Sequence, residues 1–449
     1  MEQLNLIIDT YQRIILESES QLAKVKRRIY RIGTLRLILF AAGVAGIIYF
    51  WSESRLVISG IAAITFIPFL LLVKLHNRLF RQKDYLEKKI EINRQELQAI
   101  AYDTSAFDNG KEFIDPAHLY TYDLDVFGEH SLFQYINRTA TQPGKKRLAE
   151  WMNTHLKNKA EIEKRQEAVK ELAPELEMRQ HFRILGLLHK GKTADEEEIR
   201  NWATSPEHYR KKWYFRTLAI LVPLANAVCL GLAIAGVISF TTWGIVFAGI
   251  GLLSSSFSKG VSQMQSVYGK KMQILTTYAH LIHIIEEKEM ESSALKRVKG
   301  LVGGEKQTAS QAVKRLTALM NALDQRNNML MQFVLNGLFF WELRQVMKIE
   351  TWKESFAANL PHWLEAIGEM DAYCSLATFA YNHPGYVFPE IASKPFCMEA
   401  EALGHPLMDR DKCVRNDIRI AKRPFFIIIT GANMAGKSTY LRTIGVSYL

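Results

Sequence analysis

The sequence predicts a mainly α protein in which a helical core and lever carry two transmembrane helical hairpins, with the start of a C-terminal α/β P-loop domain behind them. Three observations support this. Two long stretches are uncharged over lengths that suit membrane helices. Apolar residues recur at helical spacing through most of the remainder. Near the end of the 449 residues, short β-type runs lead into "GANMAGKS", Gly431 to Ser438.

Composition sets the outer bounds. With 48% hydrophobic and 23% charged residues the chain belongs to the ordered proteins, not the disordered ones. A formal net charge of +11 suits a nucleic-acid partner, and equally a membrane protein with basic cytoplasmic flanks. The four cysteines, Cys229, Cys374, Cys397 and Cys413, are scattered, which predicts neither a disulfide framework nor a structural zinc site. No cleavable signal peptide is expected, because about three dozen residues, many of them charged, precede the first apolar run.

Residues 1–33 read as a cytoplasmic amphipathic helix, with Leu4, Ile7, Ile8, Tyr11, Ile14 and Ile15 at helical spacing. Residues 34–75 read as the first transmembrane hairpin. Leu37 to Ser52 and Leu56 to Val73 carry no charge, each run approaches the roughly 20 residues that span hydrocarbon, and Arg36 and Lys74 can snorkel at the ends. Residues 76–117 are a second cytoplasmic helix and a linker, expected to pair antiparallel with the first. The first part of the helical core follows at 118–216.

A second uncharged stretch, Thr217 to Ser258, predicts another hairpin over 217–258 with its turn near Ser239 to Gly244, giving four spans. Basic clusters flank the outer ends of both hairpins and the inner linkers are nearly neutral. The positive-inside rule then places the termini and the soluble mass in the cytoplasm of a membrane-bound protein. This also accounts for much of the +11.

Residues 259–382 are expected to hold lever and core helices. A run from Val261 to Leu301 breaks at Gly300 to Gly304 and resumes from Ser310 as N-cap towards Trp352. Met329 to Trp341 is apolar enough to raise a fifth span, but its length favours a buried core helix. Pro361 opens a further helix, "PHWLEAIGEMDAYCSLATFA". Within 383–449 the texture changes to the β-type runs "YVFPEI", "PFCMEA", "DIRI" and "FFIIIT".

"GANMAGKS" fits G-x-x-x-x-G-K-[ST], and a β-rich run before it with a helix-compatible "TYLRTIG" after it supplies the required context. Such a loop turns backbone N–H groups towards phosphate oxygens, and the following helix points its positive end at the same place. Gly431, Ala432, Asn433, Met434, Ala435, Gly436, Lys437, Ser438 and Thr439 are the candidate nucleotide-binding residues. Gly431 and Gly436 permit the backbone angles, Lys437 reaches the β- and γ-phosphates, and the Ser438 hydroxyl holds Mg²⁺. The cofactors are therefore a nucleoside triphosphate, ATP or GTP, and Mg²⁺.

"TGANMAGKSTYLR" resembles the nucleotide loop of the MutS family of DNA mismatch-repair ATPases, usually T-G-P-N-M-x-G-K-S-T-x-x-R. Asn433, Met434, Thr439 and Arg442 fit, and Ala432 stands where proline is usual. "SLFQYINRTATQPGKKRL" (Ser131 to Leu148), "IEKRQEAVKEL" (Ile162 to Leu172), "MDAYCSLATFA" (Met370 to Ala380), "GHPLM" and "VRND" are similar to further family segments in the same order. The resemblance covers roughly Asp123 to Leu449 apart from the second hairpin. It implies an ABC-type ATPase that binds ATP and works as a homodimer through its ATPase domain, with the helices around Val261 to Trp352 as levers. Where the family commonly stacks an aromatic residue on adenine, this chain has Cys413.

The departures shape the functional expectation. No mismatch-reading domain or Phe-x-Glu wedge precedes the core, and a hairpin stands where family members insert a DNA clamp. In the family the Walker B acid and the signature loop follow the nucleotide loop, so they are expected beyond Leu449. Asp409, Asp411, Asp417 and Glu399 precede the loop and read as solvated. The chain alone is therefore expected to bind ATP without hydrolysing it. The leading reading is a membrane-anchored MutS-like ATP-binding protein, with lipid and DNA as partners, the latter through clusters such as Lys145, Lys146 and Arg147. The alternatives are a membrane scaffold with a nucleotide switch and no turnover, and a repair ATPase that binds mismatched DNA.

Overall fold

The computed structural model describes residues 2–52, 54–188, 193–207, 209–268, 271–304, 308–324, 329–392, 397–420, 428–432 and 436–449. In chain order the first helices are α1 (Glu2–Tyr49), α2 (Arg55–Ile100), α3 (Leu132–Ile136), α4 (Gln142–Asn153), α5 (Lys159–Leu172), α6 (Leu176–Leu188), α7 (Thr193–Thr204) and α8 (Trp213–Ile234). Then come α9 (Phe240–Tyr268), α10 (Lys271–Glu287), α11 (Ser293–Val302), α12 (Ala309–Asp324), α13 (Met329–Phe339), α14 (Trp341–Phe356) and α15 (Leu360–Asn382). Strands β1 (Met398–Leu403) and β2 (Asn416–Ile420) precede α16 (Lys437–Tyr448). The chain is mainly helical, as predicted. It divides into two compact units, Met1–Asn137 with Ala173–Leu188 and Leu376–Leu449, and Arg138–Leu172 with His189–Ser375.

In the first unit α1 and α2 pair as a hairpin of continuous helices, each roughly 70 Å long at about 1.5 Å per residue. The half away from the turn packs as a protein in water does. Val25, Leu79 and Leu86 form its core, and Lys26–Glu87 (3.0 Å) and Lys83–Glu87 (3.0 Å) line its outside. The half near the turn is the reverse. Leu37, Phe40, Ile48, Ile64, Ile67 and Leu71 face outward, while Gly43 and Gly46 let Thr65 and Ile61 approach between the helices.

A buried polar network fixes the base of this hairpin. The Tyr11 hydroxyl donates to Asn382 Oδ1 (2.8 Å), Asn382 Nδ2 donates to Glu96 Oε2 (2.9 Å), and Arg183 Nη1 donates to Glu96 Oε1 (2.6 Å). These bonds pair the Tyr11 hydroxyl, the Asn382 amide and the Glu96 carboxylate with one another and with Arg183, as buried polar groups require.

The second unit repeatedly uses carboxylates to cap backbone N–H groups supplied by other elements. Asp371 in α15 accepts from the N–H of Ala140 (3.0 Å) and Thr141 (2.8 Å) and from the Thr141 hydroxyl (2.7 Å), ahead of α4. Glu171 accepts from Glu291 (2.9 Å) and Ser292 (2.7 Å) ahead of α11. Glu286 accepts from Ser310 (3.0 Å) at the start of α12, and Glu350 from Arg210 (2.6 Å) before α8. The orphan donors of a helix start attract negative charge, and a charge-assisted bond of this kind contributes about 1.5–3 kcal/mol.

Several predicted boundaries shift. The turn of the second apolar hairpin lies at Ala235 to Ser239, ahead of the predicted Ser239 to Gly244, because Gly236 takes the left-handed conformation (φ 74°) that ends α8. The single lever run from Val261 to Leu301 is instead divided among α9, α10 and α11. The N-cap of α12 is Thr308, whose Oγ1 accepts from the Gln311 N–H (3.4 Å); Ser310 sits inside the helix with its hydroxyl on Glu286.

The apolar run from Met329 forms α13 of 11 residues, stopped at Phe340 (φ 52°), and the outward Phe333, Val334 and Phe339 depart from the fully buried core helix predicted. Among the described residues three helices are long and apolar enough to cross a membrane, α1, α2 and α8, and Phe240–Ser254 is a shorter apolar stretch.

Of the four predicted β-type runs, "PFCMEA" and "DIRI" supply β1 and β2, an antiparallel pair that aligns Met398 with Ile420 and bulges between Ala400 and Leu403. "YVFPEI" forms no strand, and its Pro389 has no N–H to give a ladder. Half of "FFIIIT", residues 425–427, lies outside the described residues, and its Ile428 to Thr430 are not in a strand. The predicted α/β segment is thus a two-stranded sheet plus α16 among the described residues.

Candidate nucleotide-binding site

The site is built around the start of α16. Gly436 is left-handed (φ 78°), a conformation that costs an L side chain roughly 1–2 kcal/mol, and its carbonyl accepts the first helical bond from Tyr440 N–H (2.9 Å). No side chain caps this helix, so the positive end formed by its first N–H groups faces the loop. Three contacts hold α16 in place. Arg442 pairs with the Asp125 carboxylate, Leu124 packs where Gly445 has no side chain, and the Tyr440 hydroxyl donates to the Asp417 carbonyl in β2 (3.1 Å). Thr443 and Val446 are the buried residues of the helix.

Gly431, Ala432, Gly436, Ser438 and Thr439 are exposed and Lys437 is half-buried, while Asn433, Met434 and Ala435 lie outside the described residues. Lys437 Nζ donates to the carbonyls of Gly431 (2.7 Å) and Ala432 (2.6 Å), folding the ammonium back across the loop. A phosphate would exchange these neutral acceptors for charged ones. The donor set therefore suits a nucleotide: an uncapped helix start, an ammonium folded over the loop, and an exposed hydroxyl at Ser438 able to ligate Mg²⁺. Among the described residues no cluster of three or more His, Cys, Asp or Glu side chains could hold a metal on its own.

The segment before the loop is anchored as well. The Arg410 backbone N–H donates to the Tyr102 hydroxyl oxygen (3.0 Å), and its Nη2 donates to the Asn382 carbonyl (3.2 Å). His405 is half-buried, and burial, with the Arg442 guanidinium adding to it and Asp125 opposing, pushes its pKa down. Cys413, at the adenine position implied by the resemblance, lies 4.0 Å from the His405 carbonyl and presents no ring. Asp409, Asp411, Asp417 and Glu399 make local contacts: Asp409 accepts from Asp411 N–H (3.0 Å), Asp417 from Ala402 N–H (2.7 Å), and Glu399 pairs with Arg419 across the strands (2.8 Å).

The basic cluster singled out as a DNA contact is not a cluster in space. Lys145 is buried, Arg147 is engaged by Glu150 (3.2 Å), Glu365 (3.6 Å) and Glu369 (3.9 Å), and Lys146 alone of the three is exposed. Consecutive residues on a helix point about 100° apart, so a linear run of three charges spreads over most of the circumference. Sequence reasoning also missed Asp125 and Leu124, the partners of α16. They lie more than 300 residues from it and carry no local signal.

Residues 118–377, more than half of the chain, match the family model described as MutS domain III. The chain belongs to the MutS family. Among its relatives, DNA mismatch repair protein msh3 of Aspergillus terreus is 26% identical over 385 residues, covering 73% of this chain and 33% of that protein. DNA mismatch repair protein MutS of Haloquadratum walsbyi is 43% identical over 107 residues, 23% of this chain and 10% of its own length. MutS of Aquifex pyrophilus is 33% identical over 146 residues, 31% and 16% respectively. This MutS-family chain thus spans about a third or less of the length of these curated relatives.

Proposed function

We propose that the chain is the membrane-anchored part of a MutS-family ATPase, in which ATP and Mg²⁺ at Gly431 to Thr439 drive rearrangement of a homodimer and of the helices between α10 and α14. The observation that carries the nucleotide reading is Lys437 beside an uncapped helix start that follows a left-handed Gly436. Lys437 would hold the β- and γ-phosphates, Ser438 the Mg²⁺, and the N–H groups of α16 the remaining phosphate charge. The bound metal would supply neutralisation of phosphate charge, and the chain's own groups would orient the phosphates and bind them. Dimer formation is read from the family resemblance.

Membrane anchoring is supported by the reversed halves of α1 and α2. None of the most apolar stretch of α2 is buried, and contiguous exposed apolar surface of that size is unstable in water. The soluble mass would lie on the cytoplasmic side, where the basic flanks are. DNA is proposed as partner because the relatives are DNA mismatch repair proteins, and not from the dispersed Lys145, Lys146 and Arg147.

The test uses the full chain in phosphatidylcholine nanodiscs, titrated with a fluorescent ATP analogue and Mg²⁺. Saturable binding competed by ATP is expected, and no competition would overturn the nucleotide reading. On the DNA branch, binding should fall steeply with salt as phosphate contacts release counterions; no binding even at low salt removes DNA as a partner.

A further inference from the structure

The second apolar hairpin contains one buried amide. Asn226, 2% exposed, lies ten residues beyond Arg216, the last charged residue before the apolar stretch of α8, hence about 15 Å along the helix axis. If α8 spans a bilayer whose hydrocarbon core is about 30 Å thick, this is close to mid-depth. Its Nδ2 donates to the carbonyl of Gly337 in α13, and its Oδ1 accepts from Trp243 Nε1 in α9 (2.8 Å). One side chain thus ties three helices together.

The packing around that bond is close. A Cβ at Gly337 would stand 2.4 Å from the Phe247 ring, and one at Gly251 would stand 2.8 Å from the Phe333 ring. Phe247 and Phe333 meet edge to face with centroids 5.4 Å apart. The exposed surface of α13 is the reverse of a helix at a water boundary. Phe333, Val334 and Phe339 are 42%, 42% and 45% exposed, whereas its polar Asn336 is turned in, with Oδ1 accepting the Glu342 N–H (3.0 Å). On α8 and α9, which pack against α13, Ile220, Leu224, Val228, Ile245 and Leu252 are exposed as well.

We propose that α13 is a half-depth membrane helix whose outer face meets lipid acyl chains and whose inner face is clamped to α8 and α9 by Asn226. Its 11 residues make about 16 Å, too short to cross a bilayer but long enough to enter it. Non-helical backbone at its end, around Phe340, is admissible there because Phe340 is fully buried among Phe215, Ala219 and Leu343. Since α13 leads directly into α14, the membrane would grip the lever itself as well as the anchor. The inference rests on the reading that the second hairpin is in a membrane.

The test places the photoreactive p-benzoylphenylalanine at one position at a time in the full chain, reconstituted in phosphatidylcholine with alkyne-tagged acyl chains. The variants are Phe333→p-benzoylphenylalanine and, because Phe333 packs on Phe247, Phe339→p-benzoylphenylalanine as a second site. Leu224 in α8 and the exposed Ser355 in α14 serve as references. After irradiation, lipid adducts at 333 or 339 should match those at 224 and exceed those at 355 by roughly tenfold, as expected of a residue in hydrocarbon. Adducts at 224 with none at 333 and 339 would overturn the proposal and leave the hairpin reading intact. No adduct at any position would remove the hairpin reading and the proposal with it. Protein–protein adducts in place of lipid adducts at 333 and 339 would show a second copy covering this face, also overturning the proposal.

Discussion

Two helix starts in this molecule meet the same electrostatic problem in opposite ways. At α4 the free N–H groups are answered from within: Thr141 caps Gly144 N–H (3.0 Å), and Asp371, 1% exposed, accepts three bonds just ahead of the helix. At α16 no side chain caps, the described loop residues Gly431, Ala432 and Gly436 are exposed, and the cation Lys437 folds back onto the carbonyls of Gly431 and Ala432. A built-in carboxylate makes α4 a fixed joint of the core. On the proposed reading, the unanswered positive end of α16 receives an anion from outside. Both use glycine, but for different reasons: Gly144 leaves room for Asp371, and Gly436 supplies a left-handed turn.

The largest effect should come from removing the internal anion. Asp371→Ala leaves two buried N–H groups and a hydroxyl without their acceptor, which at about 1–3 kcal/mol for each orphaned group should cost on the order of 3–5 kcal/mol. Asp371→Asn keeps one acceptor oxygen and should cost less. Guanidinium unfolding of the detergent-solubilised chain reads both. If Asp371→Ala unfolded within 0.5 kcal/mol or so of the parent, the contrast between the two helix starts would collapse.

The opposite signature belongs to α16. Lys437→Ala should leave the unfolding midpoint in place, because its bonds to Gly431 and Ala432 are exposed, yet weaken ATP-analogue binding by roughly 10- to 100-fold, the loss of one charge-assisted contact. Equal affinity in parent and variant would deny that Lys437 reaches phosphate.

The two glycines separate the cases further. Gly144→Ala would place a Cβ 2.1 Å from Asp371 Oδ2, so overpacking should cost about 1–3 kcal/mol in thermal unfolding. At Gly436 the space is open, and Gly436→Ala should cost only the left-handed strain, about 1–2 kcal/mol, localised to the loop. Hydrogen exchange can distinguish a global loss from a local one, and a global loss in Gly436→Ala would contradict the open description of the loop.

The sequence revealed these two helix starts unequally. Glycine and lysine at fixed spacing announced α16 because a phosphate loop is a local device, written within eight residues. The long helices of α1 and α2 were legible for the same reason, as uninterrupted apolar runs with periodic continuations. Asp371 sat inside a segment singled out by its resemblance, but nothing local says that its carboxylate caps residues 140 and 141. The dispersal of Lys145, Lys146 and Arg147 was hidden for the same reason, since burial takes Lys145 and the glutamates of α15 engage Arg147. "YVFPEI" has strand composition without a strand, because a ladder needs a partner and Pro389 withholds a donor.

The smallest predicted effect concerns pH at the open helix start. Burial holds the His405 pKa below its ordinary 6.5, Arg442 adds to this, and Asp125 works against it. The folded segment therefore binds a proton less readily than the unfolded chain, so stability rises with pH across the window. The full contribution is present above about 6.5 and declines as pH falls from there to the folded pKa, below which no more is lost. Arg442, which pairs with Asp125 to hold α16, keeps its charge throughout this range. Amide exchange in α16, corrected for intrinsic rates, should accelerate modestly between about pH 7.5 and pH 5.5, and His405→Gln should flatten that dependence. The amides of α4 offer the internal reference, because no histidine contacts their cap at Thr141 and Asp371 in the bonds that define it. If α4 and α16 responded alike, the pH effect would be global, and His405 would not be what distinguishes the open helix start from the closed one.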